Sequence, residues 1–464
     1  MLQFPRLNPV SERTFSIAAF GGLNRRQGAD SKTLRETENL SSGSLPVLAT
    51  RKGRRRVFKA ADGEIVTGIF AADKAYMTTS LGGRTRLYVG DSFDTLTHRF
   101  TAAEDEKITS LLCRYKRQIC MFNLKTELGA ESMLSAALTS LDYPARYKAP
   151  TFNDVTVYAH RIFGVRLHQI RACAYDDASD WEHDKEGAEL TTRAFLQNFE
   201  TKSDFTACVN YKNRAVFFTA DEMFELYGKD SSQFDLVKVA DIGCVSRQAV
   251  CEMDGVLYFI SKEGVMKYSG AMPRRLSDPL DDKPVLCGGS YSACIGGVCG
   301  AVYARFTGSR GDLLYSYNVE SDAWACEDAA GCVSMATYNG ELYFSTDDAV
   351  YLAGAGGVSA DCDSSSFPWT ALTQKIHHYC PTKKRSPKLN LHMRRAFYGN
   401  VSVYASFDGG EFILLRQVPF EGEKTLCIPL ENQEYDTLQV KICGSGEAEI
   451  DYISQSFSLG GRVQ

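Results

Sequence analysis

Asp254-Gly255-Val256-Leu257-Tyr258-Phe259-Ile260, then Lys262-Glu263-Gly264, then Val265-Met266-Lys267-Tyr268 decides the fold of this chain. A turn pair opens it, an apolar and aromatic run follows, a polar turn intervenes, and a second run ends on tyrosine. Runs of β-branched and aromatic residues bounded by Gly, Asp or Asn specify strands, so the stretch is a hairpin. It recurs at Asn339-Gly340-Glu341-Leu342-Tyr343-Phe344, closed by Ala349-Val350-Tyr351-Leu352. It recurs again at Asn213-Arg214-Ala215-Val216-Phe217-Phe218, closed by Met223-Phe224-Glu225-Leu226-Tyr227. Weaker copies begin at Ala75, Gln118, Ile162 and Ala301. Between successive first residues the spacings are 43, 44, 53, 41, 45 and 40. A repeat near forty-four residues matches the four-stranded blade of a β-propeller. One twisted sheet cannot cover both of its apolar faces, so blades stack in a circle and bury one another. Seven copies predict six to eight blades; the alternative is a large β-sandwich with coincidental spacing.

Outside the repeats the chain changes character. Residues 1–50 are rich in Arg, Ser, Asn and Glu without apolar periodicity, which predicts an extended N-terminal arm that gains order on a neighbour. The propeller is assigned to 51–358. Residues 359–370, small and polar around Asp361-Cys362-Asp363-Ser364-Ser365-Ser366, read as a linker. From 371 to 464 short alternating segments such as Val401-Ser402-Val403-Tyr404-Ala405 predict an antiparallel β-sandwich or jelly roll. Helical periodicity is nearly absent; Leu124 to Leu141 is the best helix candidate.

Composition narrows the function classes. The 464 residues carry a net charge of −5, with 23% charged and 44% hydrophobic residues, which fits a globular chain. It is not the profile of a basic nucleic-acid-binding domain. Apolar runs such as Val256 to Ile260 are far shorter than a membrane span, and the N-terminus lacks an apolar signal core. The 15 cysteines are an odd number, scattered without a CxxC pair or zinc spacing. They read as small apolar residues of a chain folded in a reducing cytosol.

Catalytic signatures are missing: no nucleophile elbow, P-loop, zinc-protease helix or dinucleotide fingerprint occurs. His377 and His378 are adjacent, and in a strand such neighbours point to opposite faces, so they do not hold one metal. Ser406-Phe407-Asp408-Gly409-Gly410 faintly resembles an Asp-box but fits a β-turn better. Asp281-Asp282 and Asp347-Asp348 fall in predicted turns, where solvated carboxylates are the default. No catalytic, cofactor or metal site is assigned. The one charge cluster is Arg51-Lys52-Gly53-Arg54-Arg55-Arg56. It suits a phosphate or nucleic-acid contact, a solvated turn, or a basic patch facing an acidic neighbour subunit.

Several short pieces resemble one family. Gly21-Gly22-Leu23-Asn24, followed by Leu34-Arg35-Glu36-Thr37-Glu38-Asn39-Leu40 and Arg51-Lys52-Gly53, is similar to the opening of certain phage virion proteins. These are the tail nozzle and head-to-tail stabilisation proteins of short-tailed phages, with related tail proteins of prophages. His160-Arg161-Ile162-Phe163-Gly164 with Asp180-Trp181, Glu225-Leu226-Tyr227-Gly228, and the closing Tyr435-Asp436-Thr437-Leu438-Gln439-Val440 resemble later parts of the same group. Arg25-Arg26 departs from its pattern. The resemblance implies a non-catalytic structural component of a tail, a nozzle or connector forming part of the DNA-ejection conduit. It implies a ring of identical copies, a hexamer, in contact with other tail and connector proteins, with viral DNA passing through. It places the protein in the virion after assembly in the bacterial cytoplasm. Gly21, Gly22, Leu23, Asn24, Arg51, Lys52, Arg54, Arg55 and Arg56 are then the candidate assembly residues. Two alternatives from other classes are a tail-tip protein binding a host glycan or envelope protein, and a propeller glycan hydrolase or lyase.

Overall fold

The structure, a computed structural model, describes residues 12–102, 108–123, 133–137, 140–329, 331–354, 366–378, 382–397, 399–420, 422–430 and 434–459. The chain is all-β, with only short 3-10 turns among the described residues. No helix among them is long and apolar enough to cross a membrane.

The repeats are blades of a β-propeller. Six antiparallel four-stranded sheets lie within 64–101, 108–147, 154–198, 205–240, 250–275 and 293–328. A seventh combines three strands from 334–352 with an N-terminal strand, Arg55–Lys59. The first strand of each sheet packs against the first strand of the next, and that of the seventh returns to the first. Each hairpin recognised in the sequence is the second and third strand of one blade. In five of the seven the opening turn has positive φ at both central residues, as at Asp254 (53°) and Gly255 (74°) or Asn339 (51°) and Gly340 (77°). That is the mirror-image turn whose twist matches paired strands. Ala215, Val216, Phe217 and Phe218 are all fully buried although successive side chains face opposite sides. Both faces of the blade are therefore covered. Gly296 and Gly297 show how closely: a Cβ on the first would lie 2.8 Å from the Met335 Cβ of blade seven. On the second it would lie 3.0 Å from the Met253 Cβ of blade five.

Two five-stranded sheets form the second domain. One orders Arg13–Ile17 (β1), Glu447–Leu459, Lys384–Phe397 and Lys424–Pro429, with Leu48–Ala49 also on Glu447–Leu459. The other orders Leu34–Glu38 (β2), Pro368–Thr373, Leu438–Ser445, Gly399–Phe407 and Ile413–Phe420. We refer to Leu48–Ala49 as β3 and to Arg55–Lys59 as β4.

Three expectations are corrected here. The N-terminal segment is not an extended arm: β1, β2 and β3 are strands of the C-terminal sandwich. Ile17, Phe20, Leu34, Leu40 and Leu48 are at most 2% exposed within its core. These five residues carry no local period because each meets a core built from the far end of the chain. The predicted linker ends early, since Pro368–Thr373 is already a central strand; 355–365 lies outside the described residues. The helix candidate also fails: Met133–Ala137 and Ser140–Tyr147 are strands of blade two, and 124–132 lies outside the described residues.

Candidate functional site

The Gly21–Asn24 motif, Arg51 and Arg54 converge on one seam, between the N-terminal segment and the outer strand of blade six, Ala323–Asp328. Gly22 has φ 77°, and a Cβ there would lie 2.7 Å from the Trp324 carbonyl oxygen, so only glycine fits. That contact lets Leu23 N–H donate to the same oxygen at 2.6 Å and drives the Leu23 side chain into the core of blades four to six. Gly21 N–H donates to the Lys32 carbonyl, and Asn24 N–H to the Leu34 carbonyl at 2.8 Å, so the motif folds back on β2. Further along, Thr37 Oγ1 accepts from Cys326 N–H at 2.8 Å, and Asn39 N–H donates to the Glu327 carbonyl.

Five cations in six residues separate into two populations. Arg51 and Arg54 are buried, at 3% and 7% exposure. Arg54 Nη2 donates to Glu327 Oε2 at 2.9 Å and, with Nη1, holds both oxygens of Asp328. Arg51 Nε donates to Asn39 Oδ1 at 2.8 Å, its Nη2 reaches Asp328 at 3.3 Å, and its guanidinium lies over the Phe367 ring at 4.0 Å. Burial pushes the Glu327 carboxyl above its ordinary range, against the pull of Arg54 and Arg51. Lys52, Arg55 and Arg56 are exposed, and Arg55 pairs with Asp94 of blade one, a hydrogen bond that raises the guanidinium's pKa. The acidic neighbour that Arg51 and Arg54 meet thus lies in the same chain. Glu327 and Asp328 were not distinguishable in the sequence, because only tertiary folding brings them across more than 270 residues.

The other groups weighed in the sequence resolve as follows. His377 is exposed, whereas the His378 ring stacks on Phe457 at 4.2 Å and meets Phe15 edge-on at 5.1 Å. Burial pulls His378 down to about 4. No group of three metal-ligating side chains occurs among the described residues. Asp408 ends its strand as a turn, Oδ1 accepting from Asp436 and Thr437 N–H. Asp282 departs from the solvated-turn expectation: it is 5% exposed and accepts from Ser309 N–H and Oγ–H. Asp154, which starts the inner strand of blade three, accepts from Cys208 N–H of blade four at 2.8 Å, and burial pushes it up to about 7. Nothing in its local sequence marked it. The cysteines among the described residues are free and mostly buried.

No protein-family model and no curated protein matches the chain. Among solved structures it is similar to virginiamycin B lyase from Staphylococcus aureus, with 10% identity and a TM-score of 0.44 over 64% of this chain and 97% of that one. It is also similar to a quinoprotein alcohol dehydrogenase-like protein from Bacteroides thetaiotaomicron, at 13% identity and a TM-score of 0.37 over 58% and 67%. An exo-β-1,3-galactanase from Phanerochaete chrysosporium shows 10% identity and a TM-score of 0.23 over 86% and 96%. Likeness at this level carries no inference about chemistry.

Proposed function

We propose that the protein is a structural component of a bacteriophage tail, a nozzle or connector subunit that assembles into a ring of identical copies and takes no catalytic part. One observation carries this reading. The residues that bear the resemblance to tail nozzle and stabilisation proteins, Gly21 to Asn24 and Leu34 to Leu40, are the ones that lock the propeller to the sandwich. A motif with a demanding backbone role is what a shared architecture requires; an accidental match of short strings has no reason to fall on the joint. A two-domain body without disulfides among its described residues suits a particle component assembled in a reducing cytosol. Placement in particles is the test. Labelled antibody against the protein, with electron microscopy of particles from the producing strain, is expected to decorate the tail in a ring. Particles that contain none of the protein would sink the proposal.

A second reading, a host-surface binding protein of the tail tip, draws support from the sandwich edge. Phe412, Ile413 and Leu414 are 40%, 51% and 47% exposed beside the edge strand Ile413–Phe420. Label at the distal tip, with blocked adsorption to cells, would favour it over the connector.

A further inference from the structure

A cavity of about 480 Å³ opens where the turn after the Gly21–Asn24 motif leans on the sandwich. Arg26, Arg35 and Lys375 line it, with the exposed His377 beside them and Glu36 as the one carboxylate. None of the three cations has a carboxylate partner among the described residues. Several arginines elsewhere in the molecule do have one, as Arg54, Arg55, Arg214, Arg305 and Arg394 do. Three like charges around one cavity repel one another, and a bound anion relieves that repulsion.

The walls are fixed before any ligand arrives. Arg35 Nη1 donates to the Arg25 carbonyl, and the buried Gln374 donates to the Asn24 carbonyl and to Thr33 Oγ1. Gln439 Nε2 donates to the Thr373 carbonyl at 2.9 Å. Arg26 N–H is held by Asn24 Oδ1 at 3.1 Å, which sets the turn that presents its side chain. Two guanidinium forks and an ammonium offer a set of donors suited to an oxyanion with several acceptor oxygens. Leu372 and Ala29 are the apolar side chains of an otherwise polar and charged lining, so an apolar ligand has little to gain there.

We propose that this cavity is a binding site for phosphoryl oxyanions, either a small free phosphate compound or a phosphate of a phosphodiester chain. The inference stands on the cavity and does not depend on the tail reading above. Isothermal titration of the full chain with sodium pyrophosphate at low salt is expected to show saturable binding. The double variant Arg26→Gln/Lys375→Gln is expected to bind at least about tenfold more weakly, because two charge-assisted contacts are lost. Both side chains are exposed and unpaired, so the variant should keep the parent melting temperature. A thymidine decanucleotide forms the second arm. Binding of it with the same dependence on Arg26 and Lys375 assigns the site to a phosphodiester chain; binding of pyrophosphate alone assigns it to small phosphates. No binding of either probe, equal binding by the variant, or tighter binding of citrate than of pyrophosphate would overturn the proposal.

Discussion

Arg54 and Asp328 are joined by two parallel hydrogen bonds, Nη1 to Oδ2 at 2.5 Å and Nη2 to Oδ1 at 2.9 Å, across 274 residues of sequence. The fork-to-fork geometry fixes direction as well as distance. Arg54 stands one residue before β4, the strand that completes the seventh blade, while Asp328 ends the outer strand of blade six. The pair therefore pins the entry of the closing strand to the neighbouring blade. Glu327 adds a third contact from the same edge.

Replacing Arg54 with Gln strands the Glu327 carboxylate, 7% exposed, beside an apolar blade, and takes the fork from Asp328, which Arg51 still reaches. Breaking one side of a buried pair costs about 3–5 kcal/mol. Arg55→Gln removes an exposed pair with Asp94 and should cost no more than about 1 kcal/mol. Urea denaturation of the two variants should separate them by that margin. Equal losses would mean that burial does not distinguish the two halves of the basic cluster.

Gly22 and Gly28 offer a matched pair. Their φ values are 77° and 73°, so alanine suffers the same left-handed backbone penalty at both, about 1 kcal/mol. At Gly28 a Cβ meets nothing within 4 Å, whereas at Gly22 it meets the Trp324 carbonyl at 2.7 Å. Gly22→Ala should therefore lose clearly more stability than Gly28→Ala, with the excess reporting the seam contact. Near-identical midpoints would show that the seam gives way without cost.

His378 makes the sandwich acid-sensitive. Burial lowers its folded pKa to about 4, below the ordinary 6.5 of the unfolded chain. Between those values the unfolded state binds more proton, so the contribution is full above pH 6.5 and is lost as pH falls toward 4. Lys384 and His377 add repulsion against the protonated ring. The parent's melting temperature should fall more steeply between pH 6.5 and 4.5 than that of His378→Phe, which keeps the stack on Phe457. Parallel pH profiles would remove His378 from the acid response.

What the sequence disclosed follows the range of the interactions involved. Blades were legible because a hairpin is local: Asp254-Gly255 and Asn339-Gly340 encode their turns, and the apolar runs beside them encode strands buried on both faces. Strands that pair with distant partners were not legible. β4 reads as part of a basic cluster, and only ring closure makes it the outer strand of blade seven. In the same way Thr14 or Arg35 shows no alternation that names the sandwich. At the seam, Gly22 and the cations were visible as a pattern, but their partners Trp324, Glu327 and Asp328 sit in an ordinary blade strand. Asp154 is marked only by its burial, which no neighbour in sequence announces.

Removal of residues 1–50 tests the corrected architecture most directly. An extended arm would leave behind a soluble body of unchanged stability. The structure implies otherwise, because the deletion takes β1 and β2 from the edges of both sandwich sheets and β3 from Glu447–Leu459. It also exposes the core that Ile17, Phe20, Leu34, Leu40 and Leu48 cover. Each such side chain is worth about 1.5–3 kcal/mol when fully buried, so the five together, about 7.5–15 kcal/mol, are of the same size as the usual 5–15 kcal/mol margin. The propeller keeps β4 in this truncation and so keeps its closing strand. Hydrogen exchange on the truncated chain should show rapid exchange across Lys384–Phe397 and Leu438–Ser445 while Ala215–Phe218 and Val256–Ile260 stay protected. Protection retained in the sandwich strands would mean that the N-terminal segment decorates that domain without completing it.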